Sequence, residues 1–189
     1  IIAFHSDANN MPLEDDLIEK IRKLSSRELA FVGAYVRFKN VTLLLITVYL
    51  FDSEKMSDRN NELMFQLQLL LRAVAFPFLI YGDFNMSPDE VQGSGWVERL
   101  KGVILKCNRS STLKTNSTSH IDFFIVSPDL INIITAIKPI LSTPWGPHIG
   151  LKVSLLACPR AIQGRVLCVP KALPCLLYTS DAADDANCV

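Results

Sequence analysis

Tyr81-Gly82-Asp83-Phe84-Asn85 lies between an apolar run, Phe76-Pro77-Phe78-Leu79-Ile80, and the polar segment Met86-Ser87-Pro88-Asp89-Glu90. The run is short, apolar and stopped by Gly82, so it reads as a buried strand. Ser87-Pro88-Asp89-Glu90 carries the marks of a helix start: a hydroxyl cap, proline at the first helical position, acids in the first turn. Asp83 and Asn85 are therefore expected at the carboxyl end of a strand, where sheet enzymes place their chemistry. Two residues apart on an extended chain, they are expected to point the same way. The carboxylate can take a proton from water, and the carboxamide can donate a hydrogen bond to an anionic oxygen. The bland alternative is a turn in which both bond only to backbone.

Working outward, Leu13, Leu17, Ile18, Ile21 and Leu24 recur at helical spacing with charges between them. Phe31 to Phe38 and Val41 to Leu50 read as two strands of a hairpin joined by Lys39-Asn40. Ser57-Asp58 opens a helix predicted to run to about Ala73. Beyond the central strand come a short helix from Pro88, a strand at Val103 to Lys106, and a Ser/Thr-rich loop from Arg109 to Ser119. A strand at Ile121 to Val126, a helical turn at Pro128 to Ile134, and strands at Ile137 to Leu141 and Ile149 to Leu156 follow. Strands and helices interleave and hairpins occur as well, which predicts an α/β fold with mixed sheets.

Gly-Asp-(aromatic)-Asn resembles the signature of the endonuclease/exonuclease/phosphatase family, and three further matches follow in order. Thr47-Val48-Tyr49 is similar to the strand where that family carries a phosphate-contacting tyrosine. His120-Ile121-Asp122-Phe123-Phe124 resembles its Ile-Asp-(aromatic) strand. Trp145-Gly146-Pro147-His148 lies where it has an Asp-His pair before a last strand. The resemblance covers roughly residues 30 to 156. It implies a DNase I-like four-layer sandwich, two mixed sheets flanked by helices, and metal-dependent phosphodiester hydrolysis of the retroelement endonuclease kind. Asp83 would then activate water and hold Mg²⁺ or Mn²⁺. Asn85 and Tyr49 would hold phosphate oxygens, and His148, steadied by Asp122, would stabilise developing charge. Nucleic acid is the implied partner, with Arg109 and Lys114 on its backbone.

Two departures separate the chain from that pattern. Pro147 stands where the family usually has a metal-binding aspartate, and proline has no ligand atom on its side chain. The family's early asparagine and glutamate have no match; Glu14, Glu19 and Glu28 fall in or near a charged helical stretch. The domain is therefore expected to be incomplete at its N-terminus and inactive as it stands. The rival reading from another class is a catalytically decayed relic or nucleic-acid-binding module; a phosphatase of the same family is a second.

Each candidate also has a structural alternative. A carboxylate inside Ile121-Asp122-Phe123 is costly to bury unless paired, or else it faces water from an edge strand. His148 could be a plain loop histidine, and Tyr49 a packing residue. Arg99, Lys101, Lys106, Arg109 and Lys114 suit a phosphate backbone, or form a solvated face. Trp145 could stack on a base, but tryptophans more often pack.

Residues 1–156 read as the partial domain and 157–174, with prolines at 159, 170 and 174, as a linker or the start of something else. Residues 175–189 resemble, residue for residue, a conceptual translation of a common transposase-type sequencing adapter and are expected to be unstructured. A genuine small-residue tail is the alternative. The chain has 19 basic and 19 acidic residues, but Asp181, Asp184 and Asp185 fall in that tail, leaving 19 bases against 16 acids before it. So weak a bias says little about partners. No apolar run approaches the ~20 residues a bilayer needs, so no membrane partner is expected. No secretory signal is visible, though a truncated start could have carried one; the setting is left open, with intracellular, and nuclear for a retroelement enzyme, as the readings. Cys107, Cys158 and Cys168 match no metal spacing and read as indifferent thiols.

Overall fold

The computed structural model describes residues 10–24, 31–38, 41–109, 111–114, 118–144 and 146–156. The expected linker, the adapter-like tail, Glu28 and Trp145 lie outside them. The strands are β1 (Asn10–Pro12), β2 (Phe31–Arg37), β3 (Thr42–Tyr49), β4 (Phe78–Asp83), β5 (Val103–Leu105), β6 (Asp122–Val126), β7 (Ile134–Ile140) and β8 (Gly150–Leu155). The helices are α1 (Asp15–Leu24), α2 (Asp58–Ala73), α3 (Pro88–Gly93) and α4 (Trp96–Arg99), with one 3₁₀ turn at Pro128–Leu130.

Six strands form a mixed sheet in the order β1-β2-β3-β4-β6-β5. The β2–β3 hairpin is antiparallel, β3 and β4 are parallel across the α2 crossover, and β4 and β6 are antiparallel. Among the described residues the second sheet is the antiparallel pair β7–β8. This is a DNase I-like α/β sandwich. The helices cover one face of the large sheet and β7–β8 the other. No helix among the described residues covers the outer face of β7–β8.

The two faces follow from strand alternation. Leu44, Ile46, Val48, Ile80, Phe123 and Ile125 form one buried face, packed with Ile21, Leu63, Leu67, Leu70, Val91 and Trp96 from the helices. Each such Leu contributes about 1.5–3 kcal/mol relative to an exposed one. Leu43, Leu79, Phe124 and Val126 form the opposite face, against Ile137, Leu151 and Val153. Gly82 lies on the helix side, where a Cβ would stand 2.5 Å from Val48 Cγ1 and 2.9 Å from Val48 O. Only a residue without a side chain lets β4 run that close.

The helix starts form as their sequences dictate. Ser57 Oγ accepts the Asn60 N–H at the head of α2. At α3, Ser87 Oγ accepts the Glu90 N–H while Glu90 Oε2 accepts the Ser87 N–H, a reciprocal cap. Three details differ from the sequence reading. The central strand begins at Phe78, because Pro77 has no N–H to give the ladder and Phe76 is left 45% exposed. The helical turn after Ser127 stops after a single 3₁₀ turn, and β7 starts at Ile134. The three-residue β1, ended by Pro12, was too short for periodicity to show.

Candidate active site

The two open strand ends of β4 and β3 and the first residue of β6 lie side by side. Tyr49 is the register partner of Asp83 across the parallel pair, and Asp83 is the partner of Asp122 across the antiparallel pair. Lateral partners in a sheet share a face. The row Tyr49–Asp83–Asp122 therefore belongs to the face that carries β7–β8. His148, just before β8, closes on it. Its Nδ1 lies 2.9 Å from Asp122 Oδ2 and its Nε2 lies 3.5 Å from Asp83 Oδ2.

Asp122 is 3% exposed. It sits on an inner strand, between β4 and β5, so the edge-strand alternative does not hold. The buried carboxylate has the partner that its burial requires. Asp83 is less buried, and its carboxyl is held above the usual carboxylate range. Burial is the larger cause and the neighbouring charge of Asp122 the next; the Asn85 N–H and His148 oppose them. Tyr81, wedged against Phe124 with ring centroids 5.1 Å apart, has its hydroxyl pushed up by burial and then by Asp122 and Asp83.

Asn85 departs from the expected extended geometry. Its φ is +48°, the left-handed region that asparagine tolerates better than most residues. The chain turns immediately after Asp83, and the two side chains are not parallel projections from one strand. The Asn85 N–H donates to Asp83 Oδ1 at 3.1 Å, and its carboxamide donates to Leu50 O at 2.7 Å. Asn85 thus ties the end of β4 to the end of β3 and keeps one further amide hydrogen. Asp83 Oδ1 is engaged by that N–H, and Oδ2 faces His148.

Tyr49 is 49% exposed and meets the Phe51 ring edge to face, centroids 5.9 Å apart. Arg59 lies over the other aromatic, 3.2 Å from the Phe51 centroid. Buried Asn60 holds this corner. It accepts the Phe51 N–H and donates to Phe51 O and Lys55 O. Arg109 and Lys114 are exposed on the Ser/Thr-rich loop. Arg109 Nε donates to Ser111 O, and Lys114 Nζ donates to Thr143 O. Arg99 lies over Trp96, within the helix layer, so the basic stretch is not one patch. Trp96 itself is buried and donates to Asn61 Oδ1.

Asp83, Asp122 and His148 bring one ligand atom each to within 4.8 Å of one another. Among the described residues no glutamate joins them. Pro147 is exposed, and its carbonyl accepts the Lys114 N–H. The donor set fits a divalent cation in one respect: two carboxylates sharing a half-buried site repel, and a cation would relieve the repulsion. Asp83 is the accessible member of that pair. No described helix is long and apolar enough to cross a membrane.

The sequence reading did not find Asn60 or Thr112, the buried residues that hold the site's backbone. Thr112 sits among seven Ser and Thr residues between Arg109 and His120, and nothing in residue type separates it from the others.

No protein-family model and no curated protein matches the chain. Solved structures do. The endonuclease domain of TRAS1, a telomere-specific non-LTR retrotransposon, superposes with a TM-score of 0.62 at 15% identity, over 81% of this chain and 71% of that one. The 3′ phosphatase NExo from Neisseria, bound to a product DNA hairpin, gives 0.53 at 13% identity, over 78% of this chain and 70% of that one. Both likenesses are of fold.

Proposed function

We propose that this DNase I-like chain is a nucleic-acid endonuclease domain of the retroelement kind, whose chemistry is phosphodiester hydrolysis with Mg²⁺ or Mn²⁺; the inactivity expected from Pro147 and the unmatched asparagine and glutamate is the outcome that the cleavage assay below tests against it. The observation that supports it is the convergence of Asp83, Asp122 and His148 from β4, β6 and the approach to β8 at one sheet end, beside Tyr49 and Asn85. Asp83 Oδ2 is the base that takes the proton of the attacking water, since Asp83 is the accessible carboxylate of the pair and its other oxygen, Oδ1, is engaged by the Asn85 N–H. Asp122 accepts the Nδ1–H of His148 and fixes the ring, so that Nε2 faces the reaction space and can stabilise charge on the phosphate. The remaining Asn85 amide hydrogen and the Tyr49 hydroxyl hold phosphate oxygens. Arg109 and Lys114 contact the flanking backbone. Asp83 would hold the metal, completed by water and substrate oxygens as Mg²⁺ prefers. A cation held there supplies polarisation of the phosphate and stabilisation of the leaving oxygen.

A second reading is a nucleic-acid-binding module that has lost catalysis. It is favoured by Pro147 and by the lack of a glutamate in the described metal group. Likeness to the Neisseria 3′ phosphatase adds a third reading, hydrolysis of a terminal phosphomonoester. One experiment separates them. Supercoiled plasmid and a 3′-phosphorylated oligonucleotide are incubated with the protein across a Mg²⁺ and Mn²⁺ titration, with Asp83→Asn alongside. Metal-dependent nicking lost in Asp83→Asn supports the endonuclease. Phosphate release without nicking supports the phosphatase. DNA retention without either supports the module. Nicking that survives Asp83→Asn overturns the proposed chemistry.

A further inference from the structure

We propose that Thr112 is a positioning residue: its buried hydroxyl fixes the backbone that enters Asp122 while its main-chain carbonyl holds the chain next to His148, and the two together set the Asp122–His148 contact. Thr112 is fully buried, although its loop is polar and mostly exposed. Its Oγ1 accepts two main-chain hydrogen bonds, from the Ile121 N–H and the Asp122 N–H, each at 3.1 Å. A hydroxyl has two acceptor lone pairs, and both are taken. Asp122 thus enters β6 with its backbone fixed by a side chain.

The same residue reaches the histidine. Thr112 O accepts the Ile149 N–H at 2.9 Å, one residue beyond His148, and Leu113 pairs with His148 in an isolated antiparallel bridge. Thr112 N–H donates to Ser119 O at 3.0 Å and closes the loop on itself. Downstream, the Lys114 N–H donates to Pro147 O at 2.7 Å, and Thr143 Oγ1 donates to His148 O at 3.4 Å. The segment from Ser111 to Lys114 is a clasp. One edge grips the strand that carries Asp122, and the other grips the loop that carries His148. Thr112 bonds both, the first through its hydroxyl and the second through its carbonyl. Asp122 and His148 share no strand pairing, so the clasp is what sets their separation.

The hydroxyl and the main chain do different work. The main-chain bonds would survive any side chain at position 112. The hydroxyl bonds would not, and they act on Ile121 and Asp122, the Asp122 side of the contact. Thr112→Val keeps the shape and removes the acceptor. Thr112→Ser keeps the acceptor.

The inference concerns the site of the proposed hydrolysis, but its test does not need catalysis. The readout is the His148 Nδ1–H proton resonance, assigned by its loss in His148→Gln and expected far downfield because Asp122 accepts it. The signal should persist in Thr112→Ser. It should move upfield or vanish by exchange in Thr112→Val. In wild type, the Ile121 and Asp122 amides should exchange as slowly as those of central β6, which keeps the inference testable should Thr112→Val fail to fold. An unchanged resonance in folded Thr112→Val, or fast exchange of those two amides, overturns it. Loss of the resonance in Thr112→Val of a protein that cleaves nothing supports the clasp and sinks the hydrolysis reading. Where cleavage is measured, Thr112→Val should lower kcat about 10–100-fold with KM retained, the usual effect of a residue that orients another, and Thr112→Ser should restore it.

Discussion

Asp83 and Asp122 are direct register partners across β4 and β6, so two carboxylates share one sheet face at its end. Burial, and after it that pairing, is why the Asp83 carboxyl holds its proton more tightly than an ordinary aspartate.

The first prediction follows in stability. A carboxyl whose folded pKa is raised contributes stability below its unfolded pKa and loses it as pH rises through the folded value. At neutral pH without metal, the Asp83 charge is therefore a net cost. Asp83→Asn should raise the Tm at neutral pH and leave it unchanged in acid, where Asp83 is already protonated. Added Mg²⁺ should raise the Tm of wild type and not of the variant. Thermal melts at two pH values check this; a lower Tm for Asp83→Asn at neutral pH would show that the His148 contact outweighs burial and repulsion. In the same variant cleavage should fall about 10²–10⁴-fold, the usual contribution of a general base.

Asp122→Asn removes the like charge and keeps the shape. The Asp83 carboxyl should then ionise at lower pH, because the second-largest cause of its shift is gone. The acidic limb of the normalised pH–rate profile should move to lower pH, while the rate itself falls because His148 loses its anionic partner. A limb that stays in place would mean that the base is another group.

Pro147→Asp offers the metal an oxygen where the chain now has none. The Mg²⁺ concentration for half-maximal cleavage should drop, since this hard cation depends on oxygen ligands. An unchanged requirement would place position 147 outside the metal's reach.

Asn60→Ala tests the corner under Tyr49. It strips the Phe51 N–H, Phe51 O and Lys55 O of their partner in a part-buried setting. The loss should be about 1–3 kcal/mol. Urea unfolding measures it, and KM for DNA should rise if Phe51 and Tyr49 move together.

The elements were largely legible because apolar alternation and caps are local signals. A central strand ahead of the Asp83 turn (read from Phe76 rather than Phe78), Ser57, and the Ser87–Glu90 cap were all readable from neighbours in sequence. Asp122 was flagged by its own cost: a carboxylate in an apolar strand asks for a partner. The geometry of Asn85 was not legible, because a left-handed residue at a strand end depends on Leu50, 35 residues away. Thr112 was hidden for the same reason, as its donors lie nine and ten residues on and its identity matches its neighbours.

The division of the large sheet into an apolar body and a polar end bears on how such a chain can diverge. Between Leu43 and Val126 the packing asks only for apolar volume and a glycine opposite Val48, conditions that many sequences satisfy. The alignment of Tyr49, Asp83 and Asp122 is set by backbone pairing, which exchanges of one apolar side chain for another of similar volume leave in place. Lineages built this way can drift apart in nearly every letter, while a one-residue slip of β4 would turn Asp83 onto the helix side and silence the end row in a single step.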